Sequence, residues 1–76
     1  MNNMETHGCE LKKIDDSTYE YYFTSAYNHA AWVRIVLENG EWTYWRLGNY
    51  SKYEGSFKEL QDCIDYAYYD MLRAKL

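Results

Sequence analysis

Nucleophilic and titratable side chains are the first candidates for chemistry in this chain. The histidines are His7 and His29, the cysteines are Cys9 and Cys63, and the serines are scattered. No nucleophile elbow and no triad pattern surrounds any of them. The sequence therefore predicts a protein that is not an enzyme and has no catalytic residues.

The segment His7-Gly8-Cys9 holds two residue types that bind zinc. A structural zinc site needs four ligands at recognisable spacing, and the sequence offers no second pair. We therefore predict no metal site and no cofactor, and we expect this segment to be a flexible terminus. Cys63 falls among apolar helix positions, where a reduced cysteine acts as a small hydrophobic residue. Both cysteines are predicted to be thiols.

A stronger pattern of functional residues lies towards the C-terminus. Three carboxylates and two phenols recur there at spacings of three and four: Asp62, Asp65, Tyr66, Tyr69 and Asp70. On a helix, this spacing places the side chains on one exposed strip. Residues 54–72 contain five carboxylates and one lysine, so the formal net charge of −4 belongs to this segment.

This acidic strip has two interpretations, a solvated helix face or a partner-binding surface. Tyrosine is enriched at interfaces, whereas glutamate or lysine serves a solvated face better. We therefore predict that the strip binds a basic protein surface, such as a groove that holds a nucleic-acid backbone. A net charge of −4 and a pI near 5.0 argue against direct binding to nucleic acid or to an anionic membrane.

A β-hairpin supplies a second candidate surface. Asn39-Gly40 predicts a two-residue type I′ turn, which places Arg34 opposite Trp45 and Leu37 opposite Trp42. The face predicted to be core carries Val33, Ile35, Leu37, Trp42 and Tyr44, and the other face carries Trp32, Arg34, Val36, Thr43, Trp45 and Leu47. The rival site on this outer face consists of Trp32, Arg34 and Trp45, where Arg34 can stack on the indole of Trp45.

The predicted elements that position these residues are four strands and one helix. Strands are expected at about 10–14, 18–24, 31–37 and 42–47, with loops at 25–30 and 48–55, and a further short strand around 50–53 is left open. Ser56 and Glu59 form a capping box, which predicts a helix over about 56–75. Its apolar stripe is Phe57, Leu60, Ile64, Ala67, Tyr68, Met71 and Leu72.

These elements predict a single α+β domain over residues 1–76, with a three- or four-stranded antiparallel sheet and one C-terminal helix packed on one face. One helix cannot cover both faces of the sheet, so loops, a partner or a second copy must close the outer face. An alternative function is therefore a homodimeric interaction module that associates through this face. Neither a signal peptide nor a long apolar run is evident, so a cytoplasmic protein is expected.

The short strands followed by one acidic, tyrosine-rich helix resemble small phage-encoded inhibitor proteins of the anti-CRISPR type. A second likeness is to the hairpin-then-helix pattern of many small phage and bacterial proteins, and it is carried by Gly40-Glu41-Trp42-Thr43-Tyr44-Trp45, Phe57-Lys58-Glu59-Leu60 and Ile64-Asp65-Tyr66-Ala67. The likeness to the inhibitors is carried by size, acidity and tyrosine content. The likeness covers architecture only, because these inhibitors share no diagnostic motif. It implies a stoichiometric blocker of a host defence nuclease, in which carboxylates stand in for phosphates and aromatic side chains act as anchors.

Overall fold

The computed structural model describes residues 4–22, 32–47 and 50–73. Within them the chain forms a five-stranded antiparallel sheet in the order β1-β2-β3-β4-β5 and one helix, α1. The elements are β1 Glu10–Asp15, β2 Thr18–Tyr22, β3 Trp32–Glu38, β4 Glu41–Arg46, β5 Ser51–Lys52 and α1 Leu60–Arg73. The predicted α+β class and antiparallel sheet are confirmed, with five strands instead of three or four because β5 pairs with the edge of β4.

Several predicted stretches fall outside the described residues. They are the loop at 25–30, the ends of predicted elements at 23–24, 31 and 74–75, and His29. Among the described residues, no helix has the length and apolar character needed to cross a membrane.

The β3–β4 hairpin has the predicted register. Arg34 lies opposite Trp45 and Leu37 lies opposite Trp42. The turn residues Asn39 and Gly40 have φ angles of 53° and 81°, as a type I′ turn requires. A glycine has no Cβ to clash at such angles, which explains why this dipeptide fixes the register.

The core lies between α1 and one face of the sheet. Its buried members are Tyr21, Val33, Ile35, Tyr44, Leu60, Cys63, Ile64, Ala67 and Met71. Leu37, predicted as core, is 37% exposed because it lies beside the turn at the end of the sheet. Thr43, predicted to face outwards, is buried under the segment 53–55, and its hydroxyl donates a hydrogen bond of 3.0 Å to the Gly55 carbonyl.

The helix begins at Leu60, later than the sequence predicts. The Ser56 hydroxyl donates a hydrogen bond to the Glu41 carboxylate, and Phe57 exchanges two backbone hydrogen bonds with Trp42, at 2.7 and 2.8 Å. The chain therefore follows the edge of β4 up to Phe57 before it turns into α1. The capping box of Ser56 and Glu59 is a wrong prediction, because Ser56 and Phe57 lie along the sheet edge and α1 begins only at Leu60, so Ser56 is not its N-cap.

Most of the predicted apolar stripe is buried. Leu60, Ile64, Ala67 and Met71 lie in the core. Phe57 and Tyr68 pack against its margin. Leu72 is 45% exposed. The buried stripe therefore lacks this one predicted member, at the C-terminal end of α1.

Candidate partner-binding site

The acidic strip of α1 divides into a centre and two flanks. At 100° per residue, Asp65 and Asp70 lie about 140° apart around the helix axis, with Asp62, Tyr66 and Tyr69 between them. Asp62 is exposed, and Tyr66 and Tyr69 are 38% and 62% exposed. The structure therefore places the five predicted residues on one side of the helix, but it gives the flanking pair different surroundings.

Asp70 connects α1 to β4. Its Oδ2 accepts hydrogen bonds from the Tyr44 hydroxyl at 2.7 Å and from Arg46 Nε at 2.8 Å. The Asp70 side chain is only 18% exposed. Burial, followed by the hydrogen bond to Asp70, raises the pKa of Tyr44 well above its usual range, so this phenol remains a donor. The Asp70 carboxylate is thus already hydrogen-bonded within the fold.

Asp65, on the other flank, contacts His7, which belongs to residues 5–9, a segment that we call the N-terminal strap. Asp65 Oδ1 lies 2.8 Å from His7 Nε2 and accepts a hydrogen bond of 2.9 Å from Gln61 Nε2. The His7 ring stacks on Tyr68, with centroids 4.4 Å apart and an interplanar angle of 13°. His7, in the segment 7–9 that the sequence predicts to be a flexible terminus, is therefore docked on one polar stripe of α1.

Backbone groups of the strap are also paired. Gln61 accepts a hydrogen bond from the Glu5 amide and donates one to the Glu5 carbonyl, both at 2.9 Å, so its carboxamide acts as a neighbouring strand would. The Tyr21 hydroxyl donates to the Thr6 carbonyl at 2.8 Å. Positive φ angles at His7 and Gly8, 56° and 77°, form the turn closed by the Cys9 amide. Nothing in the residue types of the strap predicts this docking; the i, i+4, i+7 spacing of Gln61, Asp65 and Tyr68 is the only available signal.

The Tyr66 ring is positioned by aromatic neighbours. It lies 5.0 Å from Tyr53 and 5.6 Å from Phe57 between ring centroids. Tyr53 in turn stacks on the buried Tyr44 at 5.0 Å and 7°. A hydrogen bond with Tyr66 raises the pKa of Tyr53. The centre of the strip therefore combines one phenol fixed by packing, Tyr66, with one that protrudes, Tyr69.

The second candidate surface is more polar than the sequence indicates. The Arg34 guanidinium donates to Glu20 at 3.3 Å, and the cation over the Trp45 ring is Lys52, at 5.9 Å from the centroid. Trp45 is half-buried. Trp32 lies in β3 opposite Tyr22, and its side chain is outside the described part of the chain.

A charged row crosses this outer face of the sheet. Strand register aligns Lys12 with Glu20, Glu20 with Arg34, Arg34 with Trp45, and Trp45 with Lys52. Cross-strand neighbours of opposite charge stabilise a solvent-facing sheet surface. The outer face thus carries one row of charged residues and Trp45 across the five strands.

A metal centre finds no support in the described ranges. Across residues 4–22, 32–47 and 50–73, no group of three or more His, Cys, Asp and Glu side chains is placed to hold an ion. Cys9 and Cys63 are free thiols, and burial raises the pKa of Cys63 to about 12. Such a thiol is protonated and unreactive near neutral pH.

The protein is thus a small α+β domain whose helix presents an acidic, phenolic face. In comparisons with known proteins, no family model, no curated protein and no solved structure matches the chain. The chemistry of that face is therefore the main indication of a function.

Proposed function

We propose that the protein is a non-enzymatic inhibitor that binds a basic groove on a partner protein, of the kind that holds a nucleic-acid backbone. The partner class implied by the resemblance described above is a host defence nuclease of the CRISPR-Cas type. The observation that carries the proposal is the exposed centre of the α1 strip, where the carboxylate Asp62 lies within two helical turns of two exposed phenols.

The chemistry of this centre suits arginine and lysine side chains. A carboxylate forms charge-assisted hydrogen bonds with a guanidinium, and phenol faces attract cations. Tyr66 is held by Tyr53 and Phe57, so its ring loses little freedom on binding. Tyrosine is one of the residue types enriched in binding hot spots.

The proposed contact residues are Asp62, Tyr66 and Tyr69, with Asp65 and Asp70 in supporting positions. Asp70 already holds Tyr44 and Arg46, and Asp65 already holds Gln61 and lies against His7. A variant that neutralises all three aspartates would weaken the fold and the surface together. Single changes at the exposed centre separate the two effects.

The experiment is affinity purification from the native host with matched pairs of bait. Tyr69→Ala is compared with Tyr50→Ala, since Tyr50 is 76% exposed and lies outside the helix. Asp62→Asn is compared with Asp16→Asn, whose side chain is 98% exposed in the β1–β2 turn. We expect the wild type and both control baits to retain the same nucleic-acid-binding protein, and the helix variants to lose it.

Competition gives the second readout. A partner held through its nucleic-acid groove should be released from the bait by an excess of duplex DNA or of guide-type RNA. Retention of the partner in the presence of both nucleic acids, or equal capture by all four variants, would contradict the proposal.

A further inference from the structure

We infer that the N-terminal strap is a latch that opens locally, and that its opening adds Asp65 and Tyr68 to the partner-binding face of α1. The inference concerns the regulation of the proposed site and therefore rests on the proposed function. Its structural part, the local opening, stands on contacts of the strap alone.

The strap is fastened mainly by side chains of a single helix stripe. Gln61 makes both hydrogen bonds to Glu5. Asp65 Oδ1 lies 2.8 Å from His7 Nε2, and the His7 ring stacks on Tyr68. The sheet begins only after the strap, at Glu10. Undocking the strap therefore breaks no pairing between the strands.

The position of these contacts favours local opening. Both hydrogen bonds between Glu5 and Gln61 are exposed to solvent, and solvent-exposed hydrogen bonds open at far lower free energy than a core. Cys9, the last residue of the strap, packs against the core, so the opening concerns residues 5–8. Water can replace Thr6 as the acceptor for the Tyr21 hydroxyl. The buried side chains of α1 face the sheet and are not part of the latch.

Opening changes what α1 offers to a partner. In the closed state the Asp65 carboxylate accepts a hydrogen bond from Gln61 and lies against His7, so it is turned away from the centre of the strip. Asp65 and Asp62 are only about 60° apart around the helix axis. Without the strap, both carboxylates face a basic partner, and Tyr68 loses its histidine cover.

Hydrogen exchange of the Glu5 amide reports the opening in the full chain. His7→Ala removes the contact to Asp65 and the ring stack, while Gln61 remains to accept from the Glu5 amide. We expect this amide to exchange roughly tenfold faster in His7→Ala, a change typical of losing one or two such contacts. The Leu37 and Trp42 amides, which donate to Ser17 and Phe57, serve as internal references and should be unchanged.

A second variant opens the strap without lowering the helix propensity of α1. Gln61→Ala deletes both hydrogen bonds to Glu5 and the one to Asp65, but it introduces a better helix former, which offsets the loss within α1. The NMR signals of the His7 imidazole should then lose the ring-current shift caused by Tyr68. Tyr50→Ala is the matched control and should leave the strap unaffected. Exchange of the Glu5 amide at the rate of the Leu37 and Trp42 amides in both the wild type and His7→Ala would overturn the latch.

Binding to a peptide of ten arginines, followed by fluorescence anisotropy, tests the regulatory step. We expect His7→Ala and Gln61→Ala to bind the peptide at least threefold more tightly than the wild type. Equal affinity in variants whose strap opens would overturn the regulation. If no form binds the peptide, the proposed function and its regulation both fail, whereas the exchange result decides the latch independently.

Discussion

Asp70 and Asp65 accept hydrogen bonds from parts of the chain that are distant in sequence. The partners of Asp70 are 24 and 26 residues away in β4, and His7 is 58 residues from Asp65. Helical spacing alone predicts the side of α1 on which these residues lie, and that prediction holds. Helical spacing does not predict which carboxylates are hydrogen-bonded within the fold, because that depends on what packs beside the helix.

Asp70→Asn should lower the free energy of unfolding by about 2 kcal/mol, because hydrogen bonds to a charged acceptor are stronger than neutral ones. The substitution weakens the hydrogen bonds that Arg46 and the buried Tyr44 donate to this carboxylate. Urea unfolding measures it. Asp62→Asn is the control and should change stability by less than about 0.5 kcal/mol, as expected for an exposed site. Equal effects of the two substitutions would contradict the assigned role of Asp70.

Cys63 makes the free energy of unfolding depend on pH in the alkaline range. Burial raises its pKa to about 12, whereas an unfolded thiol titrates near about 8.5. Above about pH 8.5 the unfolded state releases a proton that the native state keeps, so the free energy of unfolding falls by up to about 1.4 kcal/mol per pH unit. The stabilisation is complete below this pH and is lost towards about pH 12.

The check is urea unfolding under reducing conditions at pH 7, 8, 9 and 9.5. Cys63→Ala should be less stable overall because of the small cavity, but its stability should decline less steeply over this range. Cys9 is present in both proteins, so its contribution cancels in the comparison. Parallel pH profiles for the two proteins would contradict a buried, protonated Cys63.

At the scale of elements, the hairpin is predicted well and the start of the helix is not. Asn39-Gly40 fixes the hairpin because few other residues accept two successive positive φ angles. Ser56 and Glu59 match a capping box equally well as a sequence pattern, yet Ser56 pairs with Glu41 and Phe57 with Trp42. A local motif is overruled when a neighbouring sheet edge binds the same segment and the helix begins after it.

A double-mutant cycle tests this assignment. Ser56→Ala and Glu41→Gln should show a coupling energy of about 0.5 to 1 kcal/mol, because the Ser56 hydroxyl donates to the Glu41 carboxylate. Ser56→Ala and Glu59→Gln should be additive, since the capping box is not formed. Coupling between Ser56 and Glu59 with none to Glu41 would contradict the observed start of α1.

For the molecule as a whole, the two sides of the sheet differ in character. One side is covered by α1, and the other carries the charged row from Lys12 to Lys52. The sequence predicts that one helix leaves a face open, but the row itself becomes evident only from the register of all five strands. Because this face has its own ion pairs, we expect a monomer.

Sedimentation equilibrium at micromolar concentration checks the oligomeric state. The expected mass is that of one chain, 9.2 kDa. A dimer that Trp45→Glu dissociates would instead support self-association through the outer face of the sheet, and would contradict the view that the charged row is sufficient cover.

The most direct test of the central proposal is calorimetry with the partner purified by the bait experiment. The double variant Asp62→Asn/Tyr69→Ala should bind at least thirtyfold more weakly than the wild type, equivalent to about 2 kcal/mol. The matched variant Asp16→Asn/Tyr50→Ala should bind within about twofold of the wild type, because surface changes outside an interface contribute little. Undiminished affinity in a correctly folded Asp62→Asn/Tyr69→Ala variant would contradict the assignment of the α1 strip as the binding surface.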